Sequence, residues 1–234
     1  MTVLKKFLRR YTDLPSLVYL LREECITLVD PQSWDDTNDS HYLTLYREKQ
    51  RLASVLALCF TQVTETYHHW RVFANGSSGV CISFRRKELL GAVKRHGGVR
   101  ARQVRYLKID QLEGKPLVAR DLPFLKRYPF EHENEFRLLY ETHAKRQQTI
   151  DIPIPLSCID RITLSPWLRN KLSSPIKDLL WSIPGCGKLK IVRSTLISNE
   201  EWKQAGEAAL RRAGSGPRRA AKRSLVGSPG KGSR

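Results

Sequence analysis

The sequence predicts an α+β fold: one mixed-sheet domain flanked by helices over residues 1–212, then a disordered basic tail over 213–234. Three observations predict it. Short apolar runs such as "CITLV", "SVLALCF" and "VCISF" have the length and composition of buried strands. Segments of helical period lie between them, without the strict alternation of a parallel α/β protein. The last stretch, "GSGPRRAAKRSLVGSPGKGSR", holds Gly, Ser, Pro and basic residues with almost no apolar anchors. With 41% hydrophobic residues and five tryptophans in 234, the chain can bury a sizeable core.

Each element has its own justification. "LKKFLRRY" reads as a first strand. In "TDLPSLVYLLREE", Thr12 or Asp13 can cap a helix, Pro15 suits its first turn, and Leu14, Leu17, Val18 and Leu21 share a face. "CITLVD" is a strand and "PQSWDDTNDSH" a polar turn. A helix over "HYLTLYREKQRLA" leads into the strand "SVLALCF". "TETYHHWRVFA" reads as a helix with Thr64 as its cap. "NGSSG" is a turn, "VCISF" a strand, and "RRKELLGAVKRHG" a helix with a basic side.

"VRARQVRYLKI" alternates like a half-exposed strand, and "LVARDLPFLKRY" reads as a helix. "YPFEHENEFRLLYE" (Tyr128 to Glu141) follows as a strand. Side chains two apart in a strand share a face, about 6.7 Å from one to the next. Glu131, Glu133, Glu135 and Arg137 would then form one row. "QQTIDIPIPL" is an edge strand because of its prolines. "CIDRITLSP" and "KLKIVRS" are strands, and "LRNKLSSPIKDLLWSI" and "NEEWKQAGEAALRRA" are helices.

The formal net charge is +18. From Arg211 onward there are eight basic residues and no acid, which leaves 33 basic against 23 acidic residues, or +10, on the rest. A basic body favours polyanions, so a nucleotide or nucleic acid is the expected partner. The five cysteines are odd in number and form no C-x-x-C pair; most sit in apolar runs, which fits a reducing cytoplasm. The N-terminus lacks a signal-peptide core, and no apolar run could span a bilayer, so no membrane partner is expected.

Several motifs fall away. "IPGCGKLK" lacks the first Gly of a phosphate loop and the Ser/Thr after Lys188. No zinc spacing or nucleophile signature is present. Asp35, Asp36, Asn38 and Asp39 cluster in a loop that fits either a hard cation or a turn held by Asx hydrogen bonds. Tyr67, Trp70 and Arg71 share a helix face, which suits either core packing or stacking of a planar ring.

"FLRRYTDLPSLVYLLREECITLVDPQSWDDTND", "ALCFTQVTETYHHWRVFANGSSGVCISF", "FLKRYPFEHENEFRLLYE" and "IDRITLSPW…GKLKIVRSTL" occur in that order. Together they resemble the bacterial domain of unknown function 2971 family, over about residues 5 to 203. The matching positions are Arg10-Tyr11, Asp35-Asp36 with Asp39, Trp70, Gly79 to Phe84, and Glu133, Glu135 and Arg137. Val72-Phe73 stands where that family often has His-Tyr. The order of elements also resembles ADP-ribosyltransferases: a basic residue on the first strand, an aromatic segment in the middle and a late Glu-x-Glu.

The second resemblance implies a transferase acting on a nucleotide such as NAD. Its catalytic carboxylates would be Glu135 and Glu133. Arg10, Tyr11, Trp70, Phe73 and Arg137 would bind or orient, and no metal is implied. The alternatives are a nucleic-acid-binding module without catalysis, in which the glutamates only pair with cations, and a defence-associated interaction protein.

Overall fold

In a computed structural model, residues 6–74, 76–112 and 116–214 are described. The chain divides into two compact units, one ending at Ile197 and one beginning at Ser198. The first is a large mixed sheet flanked by helices, as the α+β reading expects. Of the second, the helix Glu200–Gly214 is described; Trp202 and Leu210 on it are exposed. The expected tail falls almost wholly outside the described residues.

Nine strands make the main sheet. They are β1 (Phe7–Asp13), β2 (Cys25–Val29), β3 (Ser54–Thr61), β4 (Gly79–Arg85), β5 (Val99–Gln103), β8 (Glu135–Thr142), β9 (Thr149–Pro153), β10 (Ile159–Leu164) and β11 (Ile191–Arg193). Their order is β11-β10-β4-β1-β3-β2-β9, with β8 also on β3 and β5 on β8. The pairs are antiparallel except β10 with β11. The proline-bearing β9 stands at the edge, where its missing N–H breaks no ladder.

Local chemistry explains the helices. In α1 (Leu14–Glu23) the Asp13 carboxylate accepts the Ser16 amide at 2.8 Å, and Pro15 lies in the first turn. Leu17, Leu20 and Leu21 are buried in the main core beside Leu8, Ile26, Leu56, Ile82 and Phe84. α2 (Thr37–Lys49) buries Asp39, Leu43 and Tyr46 on one face. α3 (Tyr67–Phe73) is capped by Thr66, not Thr64, whose side chain accepts the His69 amide.

The feature that makes room for a site is a split in the sheet. β3 pairs with β8 along its length, from Ser54↔Thr142 to Thr61↔Glu135. Its other edge meets β1 at Arg9↔Thr61 and β2 at Val29↔Ala57. Between these two positions that edge of β3 has no partner strand among the described residues. The Arg10 guanidinium instead donates to the Cys59 carbonyl at 3.4 Å.

Three expectations are corrected. Residues 99–109 form two short strands in different sheets, β5 and β6 (Arg105–Leu107), because Val104 turns inward at 2% exposure. The helix expected over 117–128 is a 3-10 segment, Ala119–Phe124, containing Pro123, followed by β7 (Leu125–Arg127) on β6. The glutamate row is not one strand: Tyr128–Glu133 is a 3-10 helix with Pro129 in its first turn, and Asn134 leaves it in the left-handed region at φ 45. β8 begins only at Glu135, so Glu131 drops out of the row and is exposed.

Candidate active site

A cavity of about 430 Å³ opens at the split. β1 contributes Arg9, Arg10 and Tyr11, and β3 contributes Ala57 to Thr61. α3 adds His69, Val72 and Phe73; the turn before α2 adds Trp34, Asp35 and Asp36, and α2 itself Asp39; Val29, Lys126, Phe130, Glu133 and Glu135 complete the wall. That volume lies within the range of small-molecule sites. It brings together five of the seven residues expected to form the site, Arg10, Tyr11, Phe73, Glu133 and Glu135, with Asp35, Asp36 and Asp39 of the acidic segment beside them. Trp70 and Arg137 are fully buried and lie behind the wall, each supporting a residue that reaches it.

Arg137 organises the acidic side. Its Nε donates to Glu135 Oε1 at 2.6 Å and its Nη2 to Glu135 Oε2 at 3.0 Å. Its Nη1 and Nη2 also hold both oxygens of Asp39, at 2.8 and 2.6 Å, and Nη1 reaches the Pro123 carbonyl. The guanidinium lies 5.0 Å from the Trp34 ring centre. Five donors in a fixed fork satisfy two carboxylates at once, which a lysine could not do. Burial pushes the Glu135 carboxyl up, but the charge and hydrogen bonds of Arg137 outweigh it and hold Glu135 below the ordinary glutamate value.

Lys126 is the second cation. Its Nζ is 2.7 Å from Glu133, 3.6 Å from Glu135, and 3.9 Å from both Asp36 and Asp39. Burial disfavours its charge, yet Glu135 and Glu133 more than offset that and raise its pKa. Glu133 is itself raised, by burial first, against the pull of Lys126. Four carboxylates thus meet two cations in one buried cluster. A chain of net charge +18 has placed a local excess of negative charge against a cavity.

The β1 side is opposite in sign. Arg10 has no carboxylate within ion-pair distance among the described residues, and burial lowers its pKa. Arg9 donates to the Val63 carbonyl at 2.8 Å. The Tyr11 hydroxyl is buried against the Cys81 thiol, and its ring meets Trp70 edge-on at 5.1 Å. Trp70 is anchored by its Nε1, which donates to Glu65 at 2.6 Å. This is core packing in support of Tyr11, not an exposed stacking surface.

Of three histidines gathered at α3, the buried His69 lines the cavity. His69 Nε2 faces the Glu133 carbonyl at 3.4 Å and Nδ1 faces the Thr66 hydroxyl at 2.5 Å. A carbonyl can only accept, so these partners require a proton on Nε2; burial lowers the ring's pKa, which favours its neutral form. His68 and His132 bring their Nε2 atoms to 2.7 Å, joining α3 to the 3-10 turn.

The sequence missed several of these residues. Asp39 read as part of a loop; it is the second carboxylate on Arg137. Asp36 caps α2, accepting the Asn38 and Asp39 amides at 3.1 and 3.3 Å, which is the Asx reading of that loop. Among the described residues no group of three or more His, Cys, Asp or Glu side chains is placed so that it could hold a metal ion; the four carboxylates here are gathered on Arg137 and Lys126 instead. The spacing Asp36-x-x-Asp39 is a helix-start signal that would have moved α2 forward and placed Asp39 on its buried face. Lys126 was hidden in a segment of helical period, and nothing local marks Tyr106, whose hydroxyl oxygen accepts the Glu135 amide at 2.8 Å.

No family model matches the chain, so the resemblance to domain of unknown function 2971 stands on its quoted motifs alone. No curated protein matches either. Among solved structures, the chain is similar to Thermus sp. 2.9 DarT in complex with NAD+, at 10% identity and a TM-score of 0.44, over 83% of this chain and 98% of that one. The same protein with ADP-ribosylated ssDNA gives 12% identity, a TM-score of 0.42 and coverage of 81% and 94%. With carba-NAD+ it gives 11%, 0.41, and 82% and 96%. At these scores the function has to be argued from the site itself. No helix among the described residues is long and apolar enough to cross a membrane.

Proposed function

We propose that the cavity binds NAD, or a nucleotide of the same build, and that the chain transfers its ADP-ribosyl group to an acceptor. The observation that carries this reading is the opposed charge of the two sides: Glu135 and Glu133 face a cavity whose other side bears Arg9 and Arg10. A dinucleotide with a cationic ring at one end and a diphosphate in its middle complements that layout.

In such a transfer the bond between the nicotinamide nitrogen and the ribose anomeric carbon breaks. The bonding pair leaves with nicotinamide, and positive charge develops on the sugar. A carboxylate fixed beside that carbon stabilises it, and does so most strongly where water is excluded. Glu135 suits the role because Arg137 keeps it ionised and fixes its rotamer. The acceptor nucleophile then bonds to the anomeric carbon and gives up a proton. Glu133, raised by burial, suits the role of accepting it. Tyr11, Phe73 and Phe130 supply ring surface, and Val72-Phe73 makes this part of the wall apolar.

The test is Glu135→Gln, which keeps the shape and removes the charge. Nicotinamide release from NAD should fall by about 100-fold or more, with the circular dichroism spectrum unchanged. Equal NAD affinity and equal turnover in wild type and variant would rule the reading out.

A further inference from the structure

Glu135 is the first residue of β8, and Asn134 just before it sits in the left-handed region at φ 45. The carboxylate that heads the proposed chemistry thus stands at a strand end, where backbone frays unless it is tied down. On the β5 side the ladder runs from Val99↔Tyr140 to Gln103↔Phe136, and its next step would pair Val104 with Glu135. In an antiparallel ladder such a pair exchanges both N–H···O bonds. One half is made: the Val104 N–H donates to the Glu135 carbonyl at 3.0 Å. The Glu135 N–H donates instead to the Tyr106 hydroxyl at 2.8 Å. A side-chain oxygen has taken the place of a ladder carbonyl.

Tyr106 does not reach this place alone. It lies on β6 directly opposite Lys126 of β7. Opposed residues of paired strands point their side chains to the same face. Both reach Glu135: Lys126 Nζ is 3.6 Å from its carboxylate, and Tyr106 Oη is 2.8 Å from its amide nitrogen. Burial raises the Tyr106 pKa, so its oxygen stays a neutral hydroxyl. Arg137 fixes the side chain of Glu135, while Val104 and Tyr106 fix its backbone. A carboxylate held at one of these places only could pivot about it.

We propose that Tyr106 is a positioning residue for Glu135, acting through the backbone amide and not through the ligand. Its effect on turnover rests on the proposed function; its hold on the amide does not. A reacting group displaced by about 1 Å can lose about 100-fold in rate, so a backbone anchor at this residue bears directly on the chemistry.

The test is Tyr106→Phe in the full chain, which keeps the ring and removes the oxygen. Deuterium exchange at the Glu135 amide, resolved by NMR, should speed up by about tenfold, the worth of one hydrogen bond. The kcat for nicotinamide release from NAD should fall by about tenfold or more with KM little changed, because the anchored carboxylate acts in the transition state. Tyr46→Phe is the control. Its hydroxyl donates to Glu141 near the far end of β8 at 3.0 Å, so its loss should change neither the Glu135 amide nor kcat. Unchanged exchange at Glu135 in a folded Tyr106→Phe, or faster exchange with kcat intact, would overturn the proposal. If that variant does not fold, wild type decides: a protected Glu135 amide with nuclear Overhauser contacts to the Tyr106 ring supports the proposal, and a fast-exchanging amide overturns it. If wild type releases no nicotinamide, the proposed function fails, and the amide comparison still decides whether Tyr106 holds Glu135.

Discussion

Glu135 and Arg137 stand two residues apart on one face of β8 and meet through two hydrogen bonds, at 2.6 and 3.0 Å, with the guanidinium wholly buried. Alternation along a strand puts them side by side, and Asp39 from α2 closes the other flank of the guanidinium. A carboxylate held this way cannot rotate out of the wall, and water cannot replace its partner.

Arg137→Ala should lower stability by about 3–5 kcal/mol, because it strands Glu135 and Asp39 as unpaired buried charges. Arg137→Lys should recover little, since one ammonium cannot bond two carboxylates in the same plane. Urea denaturation of both variants measures this. A loss under about 1 kcal/mol for Arg137→Ala would mean the pair behaves like a surface ion pair.

Lys126→Met removes the second cation from the cluster. Less positive charge raises the pKa of Glu133 and Glu135, so the acid limb of any activity or ligand-binding profile should move to higher pH. Profiles of wild type and variant recorded in the same buffers show the shift or its absence.

Acidification should loosen the packing around α3. His69 and His68 have lowered pKa values in the folded chain, from burial first and then from neighbouring histidines. A group depressed on folding stabilises the fold while it stays neutral, above its unfolded value near 6.5. That contribution is lost as pH falls below 6.5 and through the folded value. Thermal melts between pH 7.5 and 5 should show a falling midpoint, and His69→Gln should flatten the fall. A slope unchanged in that variant would assign the effect to other groups.

Trp70→Phe removes the indole N–H that Glu65 accepts and leaves a gap behind Tyr11. It should cost about 1–3 kcal/mol and weaken ligand binding indirectly, through Tyr11. Tyr11 ring resonances in an NMR spectrum should shift in this variant; if they stay in place, Trp70 does not position the ring.

Much of the sheet can be read from the chain, because β2, β3 and β4 are continuous apolar runs between turn residues. The α1 cap can be read too, since Asp13 and Pro15 occupy positions with strong local preferences. The neighbourhood of Glu135 and Arg137 follows from a period of two. Glu133 reaches the same site by another route: a 3-10 turn ended by left-handed Asn134, which mimics alternation in the sequence. Asp39 lies 98 positions from the arginine it binds, and no local rule links them. The split between β1 and β2 along the edge of β3 is likewise invisible locally, since it is set by how strands share partners.

That split also gives the protein a built-in reporter. In an antiparallel strand, residues two apart point their amides to the same edge. Thr61 and Ala57 pair toward β1 and β2, so Cys59 between them points its N–H into the gap, while Leu58 and Phe60 point theirs at β8. Along three consecutive residues, deuterium uptake should run slow, fast, slow in the empty protein. A molecule seated in the cavity would slow the middle amide alone, so a single position on β3 reads out occupancy without any label.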